Sequence, residues 1–186
     1  MWASYKERDV QTRIPEISTL RLLDEEDAPE LHALIDANRS YLARWLPWAA
    51  RQTFDDTLDF IRRARGQLEA NDGFQMAVVG AEGIAGMVGY HAVDWRNRST
   101  SIGYWLAEDR QGRGTMTAAV RALVDHALIA LQLNRVEIRA AVENRRSRAI
   151  PERLGFHEEG TLRQAERVGD RYLDCVVYSM PAADWP

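Results

Sequence analysis

The sequence predicts a mixed α/β protein with a mostly antiparallel central sheet and helices on both faces. The segment from Phe74 to Leu106 shows the alternation and the turn glycines of antiparallel strands. A glycine-containing loop, an amphipathic helix and another strand follow, which together make one helical crossover. A doubly wound parallel sheet would alternate strands and helices throughout, so the antiparallel N-terminal half argues against that class.

The N-terminal elements are predicted from short local patterns. Ile17–Leu23 is predicted to be a strand, and Glu25–Asn38 a helix with Asp24 as its candidate cap. The segment Arg44–Trp48 interrupts the helical pattern, because its proline disfavours helix at the preceding residue. Helical spacing resumes from Asp55 to Leu68, which predicts a second long helix.

The remaining helices and strands are predicted from changes in the spacing of apolar residues along the sequence. Gln75–Val79 and Ala85–Val93 flank a glycine-containing turn and predict an antiparallel hairpin, to which Ser101–Leu106 adds a third strand. Beyond the glycine loop, the pattern predicts a helix over Thr115–Leu131, a strand over Arg135–Val142, a short helix over Arg145–Leu154, and final strands near Phe156–Leu162 and Arg171–Met180.

Length and composition limit the classes of function. The 186 residues are expected to form one domain, 1–186, with 46 % apolar and 28 % charged residues, as in an ordinary soluble protein. A net charge of −4 gives no electrostatic reason for nucleic-acid binding, and no apolar run is long enough for a membrane span. The single Cys175 excludes an internal disulfide and favours a cytoplasmic protein, and the histidines lack the spacing of metal ligands.

The stretch Gln111-Gly112-Arg113-Gly114 lies between a predicted strand and a predicted helix. Two glycines let a backbone approach a ligand closely, and the first-turn N–H groups of the helix lie at the positive end of its dipole. Such a loop suits a phosphate or pyrophosphate. By itself, a short glycine loop before a helix is more often a plain turn.

Further motifs accompany this loop along essentially the whole chain. They are Gly103-Tyr104-Trp105, Asn134-Arg135, Val142-Glu143-Asn144, Ser147-Arg148-Ala149-Ile150-Pro151, Leu154-Gly155-Phe156, Glu159-Gly160 and Arg163-Gln164-Ala165-Glu166. Jointly they are specific, and on them the chain resembles the GNAT superfamily of acetyl-CoA-dependent N-acetyltransferases. The more detailed resemblance is to the branch that acetylates ribosomal proteins at their N-termini, the Rim enzymes. One departure is Asp109, where the family loop begins with Gln or Arg.

The resemblance implies a GNAT fold and a set of residues that hold acetyl-CoA. The pyrophosphate would lie on the backbone of the loop from Gln111 through Gly112 and Gly114 to Thr115. Arg113 is a candidate partner of a CoA phosphate, with a solvated cation as the alternative. Asn144 would contact the pantetheine arm or order its loop, although a plain turn or cap role is a rival. The Leu106 main chain would supply the oxyanion donor.

The resemblance also implies the catalytic pair Glu166 and Ser147. Glu166 would be the general base, and the alternative is a solvated loop glutamate that pairs with Arg163 or Arg167. Many GNAT enzymes use a tyrosine as general acid, but its position here is Pro151. Ser147 would serve instead, and its alternative role is to satisfy free N–H groups in the first turn of a helix.

Three tryptophans are candidates for the acceptor pocket. Trp45 and Trp48 lie in the segment that varies with substrate in the family, and Trp105 lies on the strand where GNAT sheets splay. Core packing is the alternative for each of them. Cys175, inside an apolar strand, is expected to be a small buried residue rather than a nucleophile.

These residues favour an acetyl-CoA-dependent enzyme that acetylates a primary amine, most simply a protein N-terminal α-amine. Two alternatives stay open: an acetyltransferase acting on an amino-acid conjugate or antibiotic, and a non-catalytic acetyl-CoA sensor. No direct nucleic-acid or membrane partner and no metal are expected. A homodimer is expected from the resemblance and from the sheet edge that the C-terminal strands would leave.

Overall fold

A computed structural model describes residues 9–11, 14–15 and 17–186 of the chain. Seven strands form one sheet in the order β1-β2-β3-β4-β5-β7-β6. They are β1 (Leu20–Leu22), β2 (Gln75–Gly80), β3 (Gly83–Asp94), β4 (Ser99–Leu106), β5 (Arg135–Ala141), β6 (His157–Val168) and β7 (Arg171–Pro181). All neighbours are antiparallel except β4 and β5, which confirms the mixed, mostly antiparallel sheet.

The described residues contain five α-helices: α1 (Ala28–Ala37), α2 (Arg39–Leu42), α3 (Phe54–Glu69), α4 (Thr115–Asp125) and α5 (Arg145–Arg153). Buried residues of α4 and α5 pack against one face of the sheet, and buried residues of α1 and α3 pack against the other. The prediction of helices on both faces is therefore confirmed. No helix among the residues described is long and apolar enough to cross a membrane.

Two predicted helices differ in detail from the structure. Asp24 does cap, but it caps a 3-10 turn over Glu25–Asp27, and the α-helix begins only at Ala28. The helix predicted to reach Leu131 is α-helical as far as Asp125 and then widens into a π-helical turn, in which the Leu131 amide donates to His126 O at 2.9 Å. Periodicity cannot distinguish these helix types here, because each irregular stretch is only about one turn long.

The pairing of β4 with β5 is short, and this determines where the site can lie. The parallel register runs from Ser99 opposite Arg135 to Ile102 opposite Ile138 and then ends. Each strand continues past that point, β4 to Leu106 and β5 to Ala141. A gap therefore opens in the sheet between the C-terminal ends of these two strands.

The last hairpin also differs from its prediction. β6 extends to Val168, beyond the predicted end at Leu162, and its register against β7 breaks between Leu162 and Glu166. Gln164 lies inside this bulge with a positive φ of 49°. Its main-chain N–H donates a hydrogen bond to Asp174 Oδ1 at 2.7 Å. The alternative that Glu166 is a solvated loop glutamate is wrong in its placement, because this residue pairs with Leu173 in the sheet.

Candidate active site

Two clefts lie on opposite sides of the sheet and meet at the gap between β4 and β5. The first cleft, about 1020 Å³ in volume, is bounded by the glycine loop, the N-terminal half of α4, α5 and the segment that contains α2. The second, about 850 Å³, is bounded by α1, α3 and the ends of the central and C-terminal strands. Both are lined by Trp45, Leu46, Tyr104 and Trp105.

The glycine loop lies at the floor of the first cleft. Gly112 and Gly114 both have a φ of +78°, and a β-carbon at either position would meet no atom within 4 Å. The side of the loop that faces the cleft is thus bare backbone. Gly114 is the N-cap of α4, and no side chain caps this helix. Its first-turn amides, starting at Thr115, are open to an anion in the first cleft.

The first cleft is strongly cationic. Five arginines line it against a single carboxylate, that of Glu108; the arginines are Arg113, Arg121, Arg145, Arg146 and Arg153. Within the described part of the chain none of these five forms an ion pair. Cations without counter-charges around open amide groups make a site for a ligand with several negative charges.

Gln111 connects three walls of the first cleft. Its side-chain nitrogen donates to Tyr41 Oη at 2.7 Å and to Leu106 O at 3.2 Å, and its oxygen accepts from Arg146 at 3.0 Å. Both polar atoms of the Gln111 side chain are therefore hydrogen-bonded to other residues of the protein. Only the main chain of Gln111 remains for the predicted contact with a ligand.

The geometry of β4 directs one amide of Leu106 into the gap. The Ala107 amide donates to Ala85 O at 2.9 Å, toward β3. Since successive amides of a strand point to opposite edges, the Leu106 N–H is directed to the other edge, where β5 has already diverged. A donor at this place suits a developing oxyanion.

Asn144 and Ser147 lie at the start of α5 and line the first cleft. Asn144 is the N-cap, and its side-chain oxygen accepts from Ser147 N at 3.2 Å. The cap role considered for Asn144 is thus present, whereas the Ser147 hydroxyl forms no hydrogen bond with any described residue. That hydroxyl is available to a ligand.

Glu166 lies in the second cleft, on the far side of the gap from the glycine loop. The bulge that precedes it in β6 changes the direction of the strand, as bulges beside active sites do. Among the residues that the structure describes, no arginine lies within ion-pair distance of Glu166, so the pairing considered with Arg163 or Arg167 is wrong.

The three candidate tryptophans are all at the clefts. Trp45 and Trp105 line both of them, and Trp48 lines the second. The rings of Trp48 and Trp105 lie 6.1 Å apart at 60°, and Trp48 stays 37 % exposed. Trp105 also packs against the α1–α3 core, so its packing role and its place in the clefts coexist.

Several site residues escape a reading of the sequence alone. Tyr104 donates from its hydroxyl to Ser147 O at 2.9 Å, and burial raises its pKa, which keeps it a hydrogen-bond donor. His91 and Arg139 lie in the second cleft with Glu166. Tyr104 belongs to the Gly103-Tyr104-Trp105 motif, whereas no local pattern in the sequence marks His91.

Cys175 is buried and lines the second cleft, as expected for a residue on an apolar strand. Burial, followed by the charge of Glu166, raises its pKa, so the thiol is protonated at neutral pH. A protonated thiol is a poor nucleophile. In the part of the chain that the structure covers, no three His, Cys, Asp or Glu residues are grouped as metal ligands.

Similarity to known proteins extends over nearly the whole chain. A Bacillus subtilis (strain 168) protein, YdaF, provisionally named a ribosomal N-acetyltransferase, is 39 % identical over 175 residues, 93 % of this chain and 96 % of that protein. The ribosomal-protein-serine acetyltransferase of Escherichia coli (strain K12) is 30 % identical over 169 residues, 90 % of this chain and 94 % of that protein.

Solved structures agree with this likeness. RimL, the ribosomal L7/L12 α-N-protein acetyltransferase, in complex with coenzyme A, has a TM-score of 0.85 at 28 % identity, over 92 % of this chain and 98 % of that one. The microcin C7 self-immunity acetyltransferase, with acetyl-CoA and AMP, has a TM-score of 0.83 at 28 % identity, over 87 % and 91 %. The acetyltransferase (GNAT) domain model matches residues 18–157, and the chain belongs to this family of N-acetyltransferases.

Proposed function

We propose that this chain transfers the acetyl group of acetyl-CoA to the α-amine at a protein N-terminus. One observation carries the proposal: two clefts on opposite faces of the sheet meet where the pairing of Ile102 with Ile138 ends. In acetyl transfer, the amine must approach the thioester carbonyl carbon from a side that the CoA moiety does not occupy. A cationic cleft on one side and a cleft with a carboxylate on the other meet that need.

The first cleft is suited to coenzyme A. Its pyrophosphate would accept from the open amides between Gly112 and Thr115, and the five cleft arginines, Arg113 among them, supply counter-charges for its phosphates. The pantetheine arm would run past Asn144 toward the gap. The acetyl carbonyl would then meet the Leu106 N–H, which stabilises negative charge on its oxygen.

The second cleft is suited to the amine. An α-ammonium group must lose a proton before it can attack, and the unpaired carboxylate of Glu166 both attracts the cation and accepts a proton. Trp45, Trp48 and Trp105 form the apolar wall along which a peptide would lie. On the opposite side of the gap, the free hydroxyl of Ser147 would donate a hydrogen bond to the departing sulfur.

The relatives support an N-terminal acceptor, since their names specify ribosomal proteins. A small-molecule acceptor is the alternative, supported by the more distant likeness to a spermidine acetyltransferase at 26 % identity. A non-catalytic acetyl-CoA sensor is a third function, and the presence of Glu166 and Ser147 at the junction argues against it.

The experiment combines acetyl-CoA titration calorimetry with a thiol-release assay. The acceptors are peptides that begin with serine or alanine, the same peptides with a blocked N-terminus as matched controls, and spermidine. We expect binding of acetyl-CoA and thiol release with the free peptides only. Release with spermidine alone would establish the small-molecule function, and binding without any release would establish the sensor.

The same proposal includes assembly and location. We infer one acetyltransferase domain over 1–186 that functions in the cytoplasm, as modification of ribosomal proteins requires.

We also infer a homodimer, because β6 is a twelve-residue edge strand in which every side chain except Val168 is exposed. Sedimentation velocity at micromolar concentration should give the dimer mass, and a clean monomer would contradict the inference.

A further inference from the structure

His91 occupies a place that the acetyl-transfer scheme above does not use. It lies on β3 where the register against β4 breaks, between Tyr90 and Val93. Its ring lies directly over Gly103, since a β-carbon at that position would be 2.5 Å from His91 Nε2 and 2.7 Å from Cε1. A side chain at Gly103 would force the ring out of this position. Gly103 is the first residue of β4 beyond the end of its pairing with β5, so the imidazole lies beside the gap.

The His91 ring is also distinct from the other histidines of the described chain in having no hydrogen-bond partner there. His32 contacts Thr57 Oγ1 at 3.3 Å, and His157 contacts Asp184 Oδ2 at 3.2 Å. His126 is buried against the Tyr90 hydroxyl at 2.9 Å. A structural histidine is normally held in this way, whereas the His91 nitrogens are open to the second cleft.

The charged and titratable groups that line the second cleft with His91 come from α3 and the sheet strands, because α1 contributes only apolar residues to it. They are Arg63 on α3, Tyr104 on β4, Arg139 on β5, Glu166 on β6 and Cys175 on β7. Although the side chain reaches solvent at the rim, desolvation lowers the pKa of His91, Arg139 lowers it further, and Glu166 acts in the opposite direction. Tyr104 and Cys175 are neutral at pH 7, since burial raises both of their pKa values. The imidazole is therefore neutral at pH 7 and able to accept a proton.

The reaction requires bases that accept protons from the attacking amine. An ammonium acceptor carries three protons on nitrogen and the amide product carries one, so two protons must leave. A carboxylate alone is a weak base toward an ammonium, whose pKa is near 8 for an α-amine. An imidazole is much closer to that value and is the commonest general base in enzymes.

We propose that the His91 imidazole is a second proton acceptor for the attacking amine and works beside Glu166. This inference rests on the proposed function. The neutral ring and the Glu166 carboxylate together take two protons from the nitrogen. One of these bases takes the first proton from the ammonium, and the freed lone pair forms the bond to the thioester carbon. The carbon–sulfur bond then breaks with its electron pair on sulfur, and the other base takes the second nitrogen proton. One of these protons ends on the CoA thiol and the other is released to solvent.

The test is kcat/KM against pH, from 5 to 9, for thiol release with a serine-initiated peptide. His91→Asn keeps a polar side chain but removes the basic nitrogen, and His157→Asn is the matched control outside both clefts. We expect His91→Asn to lose about 10²-fold at pH 7 and to recover most of the loss at pH 9, where the amine arrives deprotonated. His157→Asn should follow the wild-type profile.

A second measurement tests the inference even if His91→Asn does not fold. The His91 ring is titrated by NMR in the wild type, in Glu166→Gln and in Arg139→Gln. Its pKa should lie below the ordinary histidine value of about 6.5, fall in Glu166→Gln and rise in Arg139→Gln. Gly103→Ala, which displaces the ring, should reproduce the pH-dependent loss of activity.

The outcomes separate the inference from the function on which it rests. If the wild type binds acetyl-CoA and acetylates no amine, the proposed function fails and the inference fails with it. An active wild type whose rate and pH profile survive in His91→Asn overturns the inference alone. The inference is also overturned if the pKa of His91 lies at its ordinary value and does not change in Glu166→Gln.

Discussion

The hydroxyl of Tyr104 lies 2.9 Å from the main-chain oxygen of Ser147 and donates a hydrogen bond to it. This bond joins β4 to α5 across the mouth of the gap, although the residues are 43 positions apart. Tyr104 lines both clefts, so this hydrogen bond fixes the position of α5 relative to the strand that the two clefts share.

Tyr104→Phe removes that bond and leaves the Ser147 carbonyl without its donor. We expect a loss of about 1 kcal/mol or more in the free energy of unfolding, together with weaker acetyl-CoA binding, because the start of α5 lines the first cleft. Chemical denaturation and calorimetry measure the two effects. Tyr172→Phe, at a tyrosine that is 58 % exposed on β7, is the control and should change neither. Equal behaviour of the two variants would show that the bond is irrelevant.

Gly114→Val tests the glycine loop. A left-handed conformation costs an L residue about 1–2 kcal/mol, and the new side chain would also occupy the face that a pyrophosphate approaches. Gly169→Val is a matched control, because Gly169 also has a positive φ and open space but lies in neither cleft. Both variants should lose stability, and Gly114→Val alone should lose acetyl-CoA affinity. A folded Gly114→Val with unchanged affinity would remove the loop from the site.

Ser147→Ala and Asn144→Ala should act on different properties. Asn144→Ala removes the N-cap of α5 and should cost about 1 kcal/mol of stability.

The Ser147 hydroxyl has no described partner, so Ser147→Ala should keep its stability. If that hydroxyl donates to the departing sulfur, kcat should fall by about tenfold or more, with acetyl-CoA affinity kept. An unchanged kcat in Ser147→Ala would mean that the thiolate leaves without help.

How far the sequence predicted this site depends on whether each signal is local. The glycine loop and α4 were predicted because two glycines and an apolar stripe are read within a few residues. The hydrogen bond from Gln111 to Tyr41, in contrast, joins residues 70 positions apart, and no local pattern reports it. His91 lies beside Gly103 only because β3 and β4 pair in one particular register.

The second half of β6, which carries Glu166, lies beyond the predicted end of that strand at Leu162 for a different reason. Strand prediction relies on alternation between buried and exposed residues, and β6 has none, since all its side chains but the last are exposed. The bulge at Gln164 adds a positive φ at a residue other than glycine, which the sequence does not mark. Family resemblance identified Glu166, while its strand geometry required the structure.

Stability should fall at alkaline pH. Burial raises the pKa of Tyr90 and Tyr104 in the folded protein above the tyrosine value of about 10 in an unfolded chain. Above that pH the unfolded state releases these protons first, so the free energy of unfolding decreases as pH rises. Below that pH the two protonated tyrosines make their full contribution to the free energy of unfolding. Denaturation of the wild type and Tyr104→Phe between pH 8 and 11 should show the steeper decline in the wild type. Parallel declines would contradict the assignment.

The most direct test of the account is Glu166→Gln, compared with Glu158→Gln on the same strand but in neither cleft. The amide keeps the shape of the carboxylate and removes its basicity. We predict unchanged acetyl-CoA affinity and a kcat lower by about 10²–10⁴-fold, partly restored at high pH, with Glu158→Gln like the wild type. A Glu166→Gln variant with kcat nearly intact and only a raised KM would contradict the account, because Glu166 would then hold the cation without removing its proton.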